Sequence, residues 1–240
     1  MSIKQYFPYK FILFVISLAS FSSSAAIVIN GTRVIYPSDV KEKTVRLTNK
    51  GDVPVLVQSW LDNGDQRVLP ENITTPFVLT PPINRIDPGK AQALRITFAG
   101  SPLSKEHESL YWLNVLEIPA SAKVSPDQNM MKFAVRTRIK LFYRPHDLSF
   151  IIEDVPESLV VSADGSGVKI FNPSPYYVSL ASVNVIVDGK EYSMNGGMIG
   201  PNSSGFFEFE NLNHVPRGAD INLNLINDYG AVNKVNVKVG

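Results

Sequence analysis

The chain has 240 residues, 23 Lys and Arg against 22 Asp and Glu, a net charge of +1 and no cysteine. A charge so near zero gives no general reason to expect a nucleic-acid partner. The lack of cysteine excludes a disulfide scaffold and a thiolate metal site, so the domains must be held by core packing alone.

The first 26 residues have the plan of a secretory signal. Lys4 and Lys10 precede an apolar run from Phe11 to Phe21, and small residues follow as far as Ala25 and Ala26. A bilayer-spanning helix needs about 20 apolar residues, roughly twice this run. We expect export, cleavage near Ala26 or at Ala25, and no stable membrane insertion. The remainder is long enough for one large or two medium domains.

Beyond the signal, helical periodicity is scarce. Short β-branched and aromatic runs alternate with Gly, Pro, Asn and Asp, which predicts an all-β fold. In chain order the expected strands of the first half are 32–37, 43–49, 53–62, 93–98, 111–118 and 131–143. Asn49-Lys50-Gly51-Asp52, Asp62-Asn63-Gly64-Asp65 and Asp87-Pro88-Gly89 suit reversals between them. Thr80-Pro81-Pro82 cannot lie inside a central strand; a cis bond at Pro81 or Pro82, or a sharp bend, is expected there.

Charge density falls after Arg144-Pro145-His146-Asp147. New strands are expected at 158–163, 167–173, 176–189, 205–211, 220–228 and 232–239, with turns at Asp188-Gly189 and Asn195-Gly196-Gly197. Each half has the size and strand count of an immunoglobulin-like sandwich. We divide the chain into a signal (1–26), a first domain (27–146) and a second (147–240).

Residues that carry chemistry are thin. His107, His146 and His214 are far apart and lack ligand-like neighbours, so no metal is expected. There is no G-x-S-x-G elbow, no phosphate-cradling loop and no H-E-x-x-H. No enzyme, cofactor or nucleotide is therefore expected. The sequons at Asn30, Asn72 and Asn202 read as chance occurrences.

The informative stretch is NMMKFAVRTRIKLFYRP, residues 129–145. Met131, Phe133, Val135, Ile139 and Leu141 share one parity, while Lys132, Arg136, Arg138 and Lys140 share the other. In an extended chain these sets point to opposite faces. The strand is long, since about five or six residues are typical. An overlong strand can add itself to another protein's sheet, and a cation beside it could fix the register. Cations on the other parity would keep such an apolar edge soluble.

Several segments together resemble the PapD-like periplasmic chaperones of chaperone–usher pilus assembly. They are TRVIYPSD (32–39), TPPINRIDPG (80–89), ESLYWLNVLEIPA (108–120), TRIKLFYRP (137–145), NPSPYYVSL (172–180) and INDYG (226–230), in family order. The resemblance implies two immunoglobulin-like domains at an angle, with a cleft between them. It implies that Arg33 and Lys140 bind the C-terminal carboxylate of a pilus (fimbrial) subunit. It further implies that Met131, Phe133 and Val135 are donor-strand residues filling the subunit's groove, and that Glu108, Arg144 and Asp228 form an interdomain ion network. The short connection from Pro119 to Met130 resembles the short-loop subgroup. The function so implied is periplasmic and non-enzymatic: to complete the fold of pilus subunits and deliver them to an outer-membrane usher. From the residues alone a second reading stays open, a secreted structural or adhesive protein such as a pilus subunit or adhesin.

Overall fold

The computed structural model describes residues 26–100, 103–119 and 133–240. All but Ala26 of the expected signal segment lies outside them, and so does Met131.

Two β-sandwiches follow one another along the chain. The first is built from β1 (Ile27–Ile29), β2 (Arg33–Pro37), β3 (Glu42–Asn49), β4 (Val55–Asp62), β5 (Phe77–Thr80), β6 (Ile83–Ile86), β7 (Ala91–Phe98), β8 (Ser109–Pro119) and β9 (Val135–Arg144). One of its sheets has the order β1-β3-β7-β5 and the other β2-β9-β8-β4-β6. Period-2 alternation drives this packing. Val45 and Leu47 of β3, Leu94 and Ile96 of β7, and Leu113 and Val115 of β8 are all buried between the sheets. An aromatic cluster closes one end of the core, with ring centroids 5.5 Å apart for Tyr36 and Phe77, 5.0 Å for Phe77 and Tyr111, and 4.9 Å for Phe98 and Tyr143. The buried Tyr36 hydroxyl accepts from Phe98 N at 3.0 Å and donates to Lys41 O at 3.0 Å, so its polar tip is satisfied.

Pro81 and Pro82 interrupt pairing as their missing N–H groups require. The chain leaves β5 at the edge of one sheet and enters β6 at the edge of the other, and the Thr80–Pro81 peptide is cis.

The second sandwich comprises β10 (Val160–Asp164), β11 (Gly167–Asn172), β12 (Val178–Val187), β13 (Lys190–Asn195), β14 (Met198–Ile199), β15 (Ser203–Glu208), β16 (Asp220–Ile226) and β17 (Val232–Lys238). Its sheets run β10-β11-β15 and β13-β12-β16-β17, with β14 paired to β12. Asp188 and Gly189 adopt φ of 51° and 75°, the positive pair that a tight hairpin between β12 and β13 needs. One short helix, α1 (Val155–Ser158), precedes β10.

Each domain repeats one corner. At the end of β3, Asn49 is fully buried; its Nδ2 donates to Val53 O at 2.8 Å and Ile86 O at 2.9 Å, and its Oδ1 accepts from Gly51 N. At the end of β11, Asn172 donates to Tyr176 O at 2.7 Å and Gly200 O at 2.8 Å, and accepts from Ser174 N. Both side chains stand in for a missing strand partner.

Two expectations need correction. β9 begins at Val135 rather than 131, because its pairing with β8 stops at Glu117↔Val135; Phe133 therefore stands just ahead of the strand. The strands β1, β5, β6, β13 and β14 were not foreseen as separate elements. Each is short, and all but β14 lie at a sheet edge.

Candidate functional site: an open strand edge and a two-cation cleft

β8 lines one edge of β9 from Val135 to Tyr143, but the parallel strand β2 covers the other edge only from Lys140 to Arg144. From Val135 to Ile139 that second edge has no strand partner among the described residues. Burial along the apolar parity changes at the same point. Phe133 is 70% exposed and Val135 45%, whereas Ile139 is 9%, Leu141 0% and Tyr143 8% exposed. On β8 the core ends at this level too: Val115 is buried, while the Glu117 carboxylate reaches across to accept from Ile27 N at 3.0 Å. One alternating sequence thus presents apolar side chains to solvent first and to its own core afterwards.

Where the two edges meet, Arg33 and Lys140 lie side by side as register partners of the parallel pair. Both reach the second domain, Arg33 Nη1 donating to Ile226 O at 2.9 Å and Lys140 Nζ to Ser179 Oγ at 3.2 Å. Neither forms an ion pair among the described residues. Arg33 Nε is buried with no hydrogen-bond partner among them. Burial lowers the Lys140 pKa, and the adjacent Arg33 charge lowers it further. For Arg33, burial also dominates and lowers the pKa, against the opposing pull of Asp228 and Glu108. Such a pair favours an anion between or beside its members. A cavity of about 350 Å³ opens between the domains next to Arg33, with Phe142, Tyr177, Ile152 and Leu225 among its walls.

The structure also brings together Glu108, Arg144 and Asp228. Arg144 Nε donates to Glu108 Oε1 at 2.7 Å, and its two terminal nitrogens donate to Asp228 at 2.6 and 2.9 Å. Glu108 is 1% exposed, and its other oxygen accepts from Tyr177 N at 2.8 Å. Its own backbone N–H donates to Pro175 O at 2.9 Å. Burial pushes the Glu108 carboxyl upward, opposed by the Arg144 charge, and the two carboxylates hold Arg144 above its ordinary value.

The outer face of β9 departs from expectation. Arg136 and Arg138 do more than solvate an edge. Asp62, at the end of β4 and 0% exposed, accepts two bonds from Arg138, one of them from Nε at 3.2 Å, one from Asn114 Nδ2 at 2.7 Å and one from Gly64 N at 2.7 Å. Arg136 bonds Asn114 Oδ1 through Nε at 2.9 Å and through Nη2 at 2.6 Å. The guanidinium of Arg136 lies 4.9 Å from the Trp60 ring centroid and that of Arg138 4.2 Å from the Trp112 ring, within cation–π reach. Burial would raise the Asp62 pKa, but the bonds from Arg138, Asn114 and Gly64 outweigh it and hold the carboxyl below its ordinary value. The usable signal was two tryptophans and two arginines at alternate positions of strands that pair.

Among the described residues no helix is long and apolar enough to cross a membrane, and no three His, Asp or Glu side chains could jointly hold a metal.

Comparison with known proteins bears on the same regions. The family described as "Pili and flagellar-assembly chaperone, PapD N-terminal domain" matches residues 26–149, and "Pili assembly chaperone PapD, C-terminal domain" matches residues 154–237. The probable fimbrial chaperone YadV of Escherichia coli K12 is 42% identical over 234 residues, spanning 94% of this chain and 95% of YadV. The crystal structure of YadV superposes with a TM-score of 0.78 at 40% identity, covering 90% of this chain and all of that one. A Salmonella enterica structure of the SafA pilin in complex with the SafB chaperone gives a TM-score of 0.74 at 25% identity, covering 91% of this chain and 98% of that one.

Proposed function

Because the chain belongs to the PapD family of pilus-assembly chaperones, we propose that it captures pilus subunits by lending them β9 as a missing strand. The observation that carries this reading is the exposed apolar row of Phe133 and Val135 on an open edge that runs into two cations without a carboxylate partner among the described residues. Main-chain hydrogen bonds along Val135–Ile139 supply affinity, and the alternating side chains, Met131 included, fill a groove in the subunit. Each well-buried side chain stabilises the complex by about 1.5–3 kcal/mol before ordering costs. Arg33 and Lys140 hold the subunit's C-terminal carboxylate through charge-assisted hydrogen bonds, which also relieves their mutual repulsion. That contact sets the register of the lent strand.

Glu108, Arg144 and Asp228 fix the two domains so that the cleft keeps its shape. Residues 1–26 direct export and are removed, domain 27–146 carries the lent strand, and domain 147–240 completes the cleft. The protein works in the periplasm without catalysis or cofactor and passes its cargo to an outer-membrane usher.

The test is periplasmic co-purification of a pilus subunit with wild-type protein, Lys140→Ala and Phe133→Ala, beside thermal melts of each. Subunit recovery should collapse in both variants. The melts should hold, because Lys140 contributes one interdomain hydrogen bond and Phe133 is exposed. Undiminished recovery in both variants would overturn the reading.

A further inference from the structure

The open half of β9 poses a physical problem that the proposed function does not solve. A strand with a single neighbour and exposed apolar side chains tends to fray or to bend away. To serve as a template it must stay extended, because a strand that has first to change conformation loses affinity and speed to that change. From Phe133 to Thr137 the inward parity offers little hold, its three residues lying out in solvent, and only at Ile139 does it reach the core. What holds this half lies on the opposite face.

We propose that Asp62 is a positioning residue for strand lending: it clamps Arg138 by direct hydrogen bonds, and Arg136 through Asn114 and an ion pair of 3.6 Å, and so keeps the open half of β9 flat on β8. This deepens the strand-lending reading and rests on it. The clamp spans three strands. Asp62 is on β4, Asn114 on β8 and the arginines on β9, with Asn114 and Arg138 direct register partners. It also enlists the loop after β4, since Arg138 donates to Gly64 O at 3.0 Å and Arg136 to Gln66 O at 3.1 Å. Trp60 and Trp112 lie within cation–π distance of the two guanidinium groups. Asp62 is fully buried and accepts from three residues, so its geometry is fixed before any partner arrives. Arg136 and Arg138 are the outward-facing residues of the segment that β2 leaves uncovered, while the next outward residue, Lys140, already sits beside β2. Holding the outward parity by its tips leaves the inward parity and one main-chain edge free for a partner.

The experiment compares wild type, Asp62→Asn and Arg136→Gln by amide hydrogen exchange, reading 135–139 against 141–143. The second readout is capture of an immunoglobulin-like pilus subunit refolding from urea. In Asp62→Asn the 135–139 amides should exchange about tenfold faster beyond any change at 141–143, and capture should slow about tenfold. Arg136→Gln, at a half-exposed site, should shift the same amides by less; it carries the test alone should Asp62→Asn fail to fold. Equal acceleration of both groups of amides would make Asp62 a general stabiliser and overturn the proposal, as would unchanged capture alongside local fraying. If Phe133→Ala captures subunit as well as wild type, strand lending itself fails. If Phe133→Ala loses capture while Asp62→Asn keeps both capture and protection, only the clamp fails.

Discussion

Between Lys140 and Tyr143, β9 has a strand on each side and sends its odd-numbered side chains into the first core. Between Val135 and Ile139 it has one neighbouring strand, and the same parity is out in solvent at Val135 and Thr137 and reaches the core only at Ile139. The alternation of residue types is nearly the same in both halves, so side-chain chemistry does not separate them. The surroundings do: β2 starts at Arg33, and on the neighbouring β8 the buried row ends at Val115. An apolar row on a strand is thus ambiguous between a core and a partner until the length of the neighbouring strands is known.

Substitutions can break or sharpen this contrast. The largest effect is expected at the C-terminal end of the buried half. Arg144→Ala leaves Glu108 buried without its cation and should cost about 3–5 kcal/mol, read as a fall in the chemical-denaturation midpoint. Leu141→Ala, in the core and fully buried, should cost about 2–5 kcal/mol by the same measurement. A loss below about 1 kcal/mol at Leu141 would mean that the two halves are not so different.

Asp62→Asn should show a smaller cost with a distinctive pH dependence. The folded-state Asp62 carboxyl titrates below its ordinary value, so its contribution is present above that value and lost as pH falls through the folded one. The stability gap between wild type and Asp62→Asn should be full at pH 7 and close below about pH 4. Melts across that range test it, and a gap that widened on acidification would contradict the sign. The least effect on stability is expected from Phe133→Ala and Val135→Ala, within about 0.5 kcal/mol. Loss of subunit capture would be their only phenotype.

Much of the fold was legible in the sequence because it depends on period two. The long strands β3, β4, β7, β8, β9, β12 and β16 each carry enough alternation to stand out. Ile27–Ile29 and Ile83–Ile86 do not, because three or four residues cannot show a period and their pairing is fixed by distant strands. The candidate site divides in the same way. Phe133, Val135 and Lys140 were visible as members of two alternating sets. Asp62 was not, since Asp62-Asn63-Gly64-Asp65 reads equally well as an exposed turn. Only the pairing of β4 with β8 and of β8 with β9 buries its carboxylate under two arginines. Arg33, Glu108, Arg144 and Asp228 had no local pattern and came from the family resemblance.

The asparagine corners have one further consequence. In the first domain the corner after β3 is held from within its own sandwich, Asn49 N donating to Lys90 O and Gly89 N donating to Asn49 O, both at 2.9 Å. In the second, the corner after β11 spends two of its main-chain groups on the other domain, Pro175 O and Tyr177 N, both bound by Glu108. That corner is itself anchored by Asn172 inside the second core. Turning one domain against the other therefore strains buried bonds on both sides instead of bending a slack tether. Mechanically the join is a stiff elbow, and a force that twists the first domain would be carried through Glu108 into the body of the second sandwich.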